Sequence, residues 1–143
     1  MSKTSPKAAA GALKSHWMIY GANGYSAQLA IEKAVAQGQS PILAGRNQAA
    51  IEALATQHGL EMRVFDLTDV AKVAAHLADV KLVSNCAGPF SATAEPMMRA
   101  CIEAGTHYTD ITGEISVFDT AQALDAQAKE AGVVLCPGVG FDV

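Results

Sequence analysis

The chain has 143 residues, half of them hydrophobic but only 6% aromatic, and carries a net charge of -4 with a pI near 5.4. That length suits one domain with a substantial core, and the acidic balance provides no positive field for nucleic acid or an anionic membrane. No stretch approaches the ~20 apolar residues of a membrane span, and the first residues lack the apolar run of a secretory signal.

Residues 1–14 are small, polar and Pro-containing, and read as a flexible tail. A first strand is predicted from His16 to Tyr20, followed by the turn Gly21-Ala22-Asn23-Gly24-Tyr25-Ser26-Ala27. Next comes a helix with Leu29, Ala30, Ala34 and Val35 at helical spacing and Gly38 past its end. The second strand is Pro41 to Ala44. After Gly45-Arg46, Asn47 is placed to cap a helix that carries Ile51, Leu54 and Ala55 and stops at Gly59. The third strand, Met62 to Phe65, ends at Asp66, and Thr68 or Asp69 opens a third helix through Val70, Val73, Ala74 and Leu77. The fourth strand, Leu82 to Cys86, is broken by Gly88-Pro89. A fourth helix from about Ala94 to Ala104 buries Met97, Met98, Cys101 and Ile102. A fifth strand spans His107 to Ile111, a fifth helix Ser116 to Gly132, and a sixth strand Val133 to Cys136.

Strand and helix alternate with short connections, which predicts an α/β fold. It is a Rossmann-type doubly wound parallel sheet of about six strands in order 3-2-1-4-5-6, a single domain over residues 15–143. The three cysteines, Cys86, Cys101 and Cys136, are far apart and lack metal or redox spacing. They read as buried thiols in a reducing, cytoplasmic setting. His16, His58, His76 and His107 are scattered without ligand spacing, so no metal is expected.

The glycine turn after the first strand reads as a phosphate cradle. Gly21 serves the bend, Gly24 permits close approach of a pyrophosphate, and Ala27 lets helix and strand pack together. Free amides around Asn23, Gly24, Tyr25 and Ser26 and the positive helix end then face the anion. The end of the second strand selects the cofactor. It carries no carboxylate for a ribose 2′-OH but has Arg46 beside Asn47, and a guanidinium suits a 2′-phosphate, so NADP is preferred over NAD. A solvated charge at a helix start is the other reading of Arg46. Asp66 has two readings, acceptor for the adenine amino group or cap of the next helix. Ala87, Gly88 and Pro89 end the fourth strand beside the switch point and face the nicotinamide half. His107, Tyr108 and Asp110 belong to the densest titratable cluster in the chain and are the candidates for substrate binding or proton transfer. No Tyr-x-x-x-Lys pair or Gly-x-Ser-x-Gly elbow is present.

Gly21-Ala22-Asn23-Gly24-Tyr25-Ser26-Ala27, Leu43-Ala44-Gly45-Arg46-Asn47, Asn85-Cys86-Ala87-Gly88-Pro89-Phe90, Gly105 to Glu114, and Pro137-Gly138-Val139-Gly140-Phe141-Asp142 occur in that order. Together they resemble the N-terminal domain of the saccharopine dehydrogenase-like oxidoreductases, especially the branch with trans-acting enoyl reductases. The resemblance implies NADP(H) at Gly21, Gly24 and Arg46, and the Gly88-Pro89-Phe90 turn near the nicotinamide. It also implies that Gly140-Phe141-Asp142 leads into a second domain covering a small-molecule substrate. The chain is therefore expected to be a piece of a hydride-transferring oxidoreductase, able to bind dinucleotide but inactive alone, with self-association through apolar surface that the second domain would cover. The alternative is a stand-alone dinucleotide-sensing module or subunit without chemistry of its own.

Overall fold

The computed structural model describes Lys14 and residues 16–139. The expected tail otherwise lies outside the described residues, as does Gly140-Phe141-Asp142. Lys14 itself is held: its ammonium donates to the carbonyl of Ala104 and to Thr106 Oγ1.

The strands are β1 (His16–Tyr20), β2 (Ile42–Gly45), β3 (Met62–Val64), β4 (Val80–Asn85), β5 (His107–Asp110) and β6 (Leu135–Cys136). The helices are α1 (Tyr25–Ala36), α2 (Gln48–His58), α3 (Val70–His76), α4 (Phe90–Ala104), α5 (Ile115–Ala123) and α6 (Asp125–Ala131). All strand pairings are parallel and the order is β3-β2-β1-β4-β5-β6, so the chain switches direction across the sheet between β1 and β4. Tyr20 pairs with Ala44 on one side and Asn85 on the other, and Asn85 pairs with Asp110. These residues form one row at the carboxyl ends of the strands.

Each face of the sheet buries its own helices, as a parallel sheet requires. On one face Ile19 and Leu43 pack against Ala27 and Ile31 of α1 and Ile51 and Leu54 of α2. On the other, Met18, Val83 and Tyr108 pack against Val73 of α3, Met97, Met98 and Cys101 of α4, and Val117 of α5. The expected apolar face of the first helix is corrected. Ala27, Ile31 and Ala34 face the sheet, while Leu29 is 52% exposed. With alanines at i and i+7 on either side of Ile31 the helix lies close to the strands, and Leu29 and Val35 rotate to solvent.

Asn47 caps α2 as expected, its Oδ1 accepting from the Ala50 amide at 3.0 Å, and Gly59 closes the helix. Asp69 caps α3 through the amides of Ala71 and Lys72. Two further expectations change. The fourth helix begins at Phe90, four residues before Ala94, because Glu114 reaches back across 24 residues to accept from its first amides. The fifth helix is two helices broken at Leu124, which is buried between them and links them through Leu124 N to Thr120 O and Ala128 N to Leu124 O. The cysteines also divide: Cys101 is buried and Cys86 half-buried, but Cys136 is exposed on β6, the edge strand among the described residues.

Arg63 on β3 forms a bidentate pair with Asp79, at 2.7 and 2.9 Å, and also holds Glu61. The guanidinium lowers the Asp79 carboxyl to about 2. A depressed carboxyl pKa contributes stability above its unfolded value and loses it as pH falls through the folded one. The pair therefore stabilises the fold fully above about pH 4 and ceases to do so toward about pH 2. Asp79→Asn should flatten the acid limb of a pH-dependent denaturation curve within that window, and leave its shape above about pH 5 unchanged.

Candidate functional site

The carboxyl row of the sheet opens into a cleft of about 640 Å3, lined among others by Gly21, Asn23, Gly24, Arg46, Asn47, Asp66, Ala87, Gly88 and Pro89. These residues come from four separate loops, and the strand order brings them together. Tyr25 and Ser26 do not line the cleft with their side chains, and Tyr25 is 80% exposed. Their contribution is backbone, because they form the first turn of α1.

That turn is open. Gly24 is the cap residue of α1, no side chain caps the helix, and no acidic residue lies in its first turn. The first backbone bond into the helix runs from Gln28 N to Gly24 O, which leaves the amides of Tyr25, Ser26 and Ala27 without an acceptor among the described residues. The neighbouring helix starts are each capped by a side chain: α2 by Asn47, α3 by Asp69, and α4 by both oxygens of Glu114 at 3.1 Å. An anion entering the cleft therefore meets one open helix end, with its unpaired amides and positive dipole.

The two glycines of the turn do different work. Gly21 has φ +79°, and a Cβ there would lie 2.7 Å from the Ala87 backbone. Gly24 has an ordinary φ of -77°, and its added Cβ would find only Gly21 O at 3.4 Å and Cys86 O at 3.8 Å. Gly21 is thus demanded by the fold, whereas Gly24 leaves space at the helix end that the fold itself does not need.

Arg46 is exposed at the rim and makes no hydrogen bond or salt bridge to a described residue. Asp66 is not the cap of α3. Its Oδ1 accepts from the amide and hydroxyl of Thr68 at 3.1 and 2.6 Å, which holds its carboxyl below the usual range. Tyr20, on the floor, donates to Phe65 O at 2.9 Å, and burial pushes its hydroxyl up to about 12. It stays protonated at neutral pH. Burial likewise raises the Cys86 thiol, which disfavours the nucleophilic thiolate. The residues around the cleft thus supply amides, a cation and polar acceptors, a set for binding an anionic nucleotide.

The catalytic candidates separate. His107 begins β5 and pairs with Leu82, about 10 Å along the strand from Asp110. It lines a second, wider recess of about 970 Å3 toward the amino ends of the strands, and its Nδ1 accepts from Val134 N at 3.1 Å. Tyr108 and Asp110 are 0% and 1% exposed and bond to each other, so neither presents a free group to the cleft. Burial, then the Asp110 hydrogen bond, raises the Tyr108 hydroxyl well above its ordinary value. Among the described residues no group of three His, Cys, Asp or Glu side chains comes together as a metal site. No described helix is long and apolar enough to cross a membrane.

Cleft residues that the sequence did not single out include Tyr20, Thr68 and Thr93. Thr93 lies in the first turn of α4, which local sequence placed outside the helix; the signal that recovers it, the Glu114 cap, is remote.

The family model for the saccharopine dehydrogenase NADP binding domain matches residues 17–136. The chain belongs to this family. Saccharopine dehydrogenase-like oxidoreductase of Mus musculus is 31% identical over 147 residues, covering 89% of this chain and 34% of the mouse protein. Trans-acting enoyl reductase of Mycobacterium tuberculosis is 27% identical over 133 residues, covering 87% and 32%. Among solved structures, apo saccharopine dehydrogenase (L-Glu forming) from Saccharomyces cerevisiae superposes with a TM-score of 0.74 at 21% identity, covering 87% of this chain and 27% of the yeast chain. The chain thus spans about a third of the length of the curated relatives it matches. As a saccharopine dehydrogenase NADP-binding domain, it has NADP as its cofactor.

The two glycines give a discriminating test. Gly21→Ala should cost about 2–4 kcal/mol in chemical denaturation, from the left-handed backbone and the contact with Ala87. Gly24→Ala should change stability by less than about 1 kcal/mol yet weaken NADP(H) binding in calorimetry.

Proposed function

We propose that the cleft holds NADP(H) with its pyrophosphate on the open amides of α1, its 2′-phosphate on Arg46, its adenine beside Asp66, and its nicotinamide against the Ala87-Gly88-Pro89 turn. The observation that carries this reading is the open α1 terminus beside Gly24. Among the described residues it is the one helix start bordering the cleft that no side chain caps, and its approach is free of a Cβ. Arg46 supports the 2′-phosphate assignment, since a cation at a helix start is unfavourable without an anion to meet. Its guanidinium makes no hydrogen bond or salt bridge to a described residue.

We further propose that the full-length protein is an oxidoreductase acting on an imine, carbonyl or activated enoyl carbon, and that this domain supplies the cofactor half of its site. When bound, NADP(H) supplies or accepts the hydride, and the chain's part is placement and electrostatics. The buried Tyr108 and Asp110 make a proton donor from a second domain the better reading, because neither reaches the cleft. Ile111, Ile115, Phe118 and Val139 are exposed apolar side chains near the carboxyl ends of β5 and β6, and we place the substrate domain on this side of the sheet. The same surface would support self-association of the isolated domain. A reducing compartment such as the cytoplasm fits the free cysteines.

Calorimetric titration of the chain with NADPH and NADH, beside Arg46→Ala, tests the assignment. NADPH should bind more tightly, and the variant should lose about 1.5–3 kcal/mol of that preference, the worth of a charged hydrogen bond. Equal affinities for the two cofactors in the unaltered chain would remove Arg46 from the site.

A further inference from the structure

Behind the cleft lies a buried hydrogen-bond chain that the cofactor assignment does not use. Asn85, Tyr108 and Asp110 are each at most 1% exposed. Tyr108 donates its hydroxyl proton to Asp110 Oδ2, and Asn85 Nδ2 donates to Tyr108 Oη at 3.2 Å. The other Asp110 oxygen accepts from Thr112 N at 3.0 Å and Gly138 N at 2.8 Å. At the opposite end, Asn85 Oδ1 accepts from Ala87 N at 3.1 Å, and Asn85 Nδ2 also donates to Thr93 Oγ1 at 3.2 Å. The Thr93 hydroxyl in turn donates to Ala87 O at 2.7 Å. Both backbone groups of Ala87 are therefore held by side chains, and its N and Cα, each 2.7 Å from a Cβ added at Gly21, leave no room for a side chain there.

The chain has a direction. A carboxylate only accepts, so Asp110 takes the single Tyr108 proton, and the tyrosine oxygen is left to accept from Asn85. That orients the Asn85 amide with its NH2 toward Tyr108 and Thr93 and its carbonyl toward the Ala87 amide. Were the Tyr108 hydroxyl absent, one Asn85 N–H would lose its buried acceptor, and Thr93 Oγ1 alone would hold that end of the amide. The flipped amide would set its NH2 against the Ala87 N–H, donor against donor, in a buried place where an unmade bond is costly.

We infer that Tyr108 and Asp110 are positioning residues: acting through Asn85, they fix the Ala87-Gly88-Pro89 turn that receives the nicotinamide half of NADP(H). The inference rests on the cofactor placement proposed above. It assigns the two most buried polar groups of β5 a part in binding that requires no contact with the ligand. The effect falls on one half of the cofactor, because among the described residues Arg46, Asp66 and the end of β2 share no hydrogen bond with this chain.

The test compares two ligands on Tyr108→Phe: NADPH, and adenosine 2′,5′-bisphosphate, which has the adenine and 2′-phosphate but no nicotinamide. The variant should bind NADPH about fivefold to tenfold more weakly and the bisphosphate within about twofold of the unaltered chain. Equal weakening of both ligands would mean general loosening of the fold and would overturn the inference, as would unchanged NADPH affinity. If the phenylalanine variant does not fold, the nearly isosteric Asp110→Asn removes the acceptor that orients Tyr108 and carries the same expectation. An unaltered chain that binds the bisphosphate but not NADPH more tightly than the bisphosphate would remove the nicotinamide contact itself and overturn the inference. An unaltered chain that binds neither ligand would overturn the cofactor placement, and this inference with it.

Discussion

Two turns meet where β1 and β4 run side by side, and their backbones touch without any side chain between them. Gly21 lies against Ala87 so closely that a single methyl group would sit 2.7 Å from the alanine backbone. The parallel order makes this meeting unavoidable, since the chain leaves the sheet in opposite directions on either side of the switch point. The contact sets the distance between the loop that starts α1 and the loop that starts α4. The cleft is the space these loops, the end of β2 and the end of β3 leave between them, so its width is fixed by main-chain packing. Binding surfaces made this way cost little entropy to order, because they are already rigid before a ligand arrives.

The same region shows how the chain distributes its hydrogen-bond acceptors. Asn47 and Asp69 close α2 and α3 from within their own sequence neighbourhood, and Glu114 closes α4 from another loop. No described side chain caps α1. A helix end left uncapped beside three capped ones is a concentrated electrostatic preference, and it belongs to a family whose common property is holding NADP. The buried Asn85, Tyr108 and Asp110 extend this economy inward, since each of their polar atoms facing the row has a partner.

Much of this was legible in the sequence because the signals are local. The β1 run before Gly21, the Asn47 cap and the Gly59 stop are each decided by a few neighbouring residues, and the repeated strand-helix alternation then leaves few parallel topologies. The cleft residues at Gly21, Gly24, Arg46, Asp66 and Ala87 follow from strand ends alone. What could not be read depends on direction and distance. Whether Leu29 or Ile31 faces the sheet turns on how closely α1 sits, and small residues at Ala27 and Ala34 decided that. His107 and Asp110 look like one cluster in a line of text, but they lie at opposite ends of a strand. Cys136 is apolar in its setting yet exposed, because β6 is an edge. Leu124 interrupts a helical pattern with no glycine or proline to announce it.

Glu114 also carries a consequence for how the site comes into being. The first turn of α4 has no cap of its own; Pro89 cannot donate and Phe90 and Ser91 rely on a carboxylate 24 and 23 residues further on. During synthesis, Gly21, Arg46 and Ala87 have all emerged while this turn still lacks its acceptor. The loop bearing Glu114 follows β5, so the Phe90 edge of the cleft has its cap only once β5 stands beside β4. The opposite side of the cleft also depends on contacts between distant residues, Gly21 N to Ala44 O and Tyr20 Oη to Phe65 O. The cleft is thus closed by contacts between residues far apart in sequence, and it forms with the sheet rather than ahead of it.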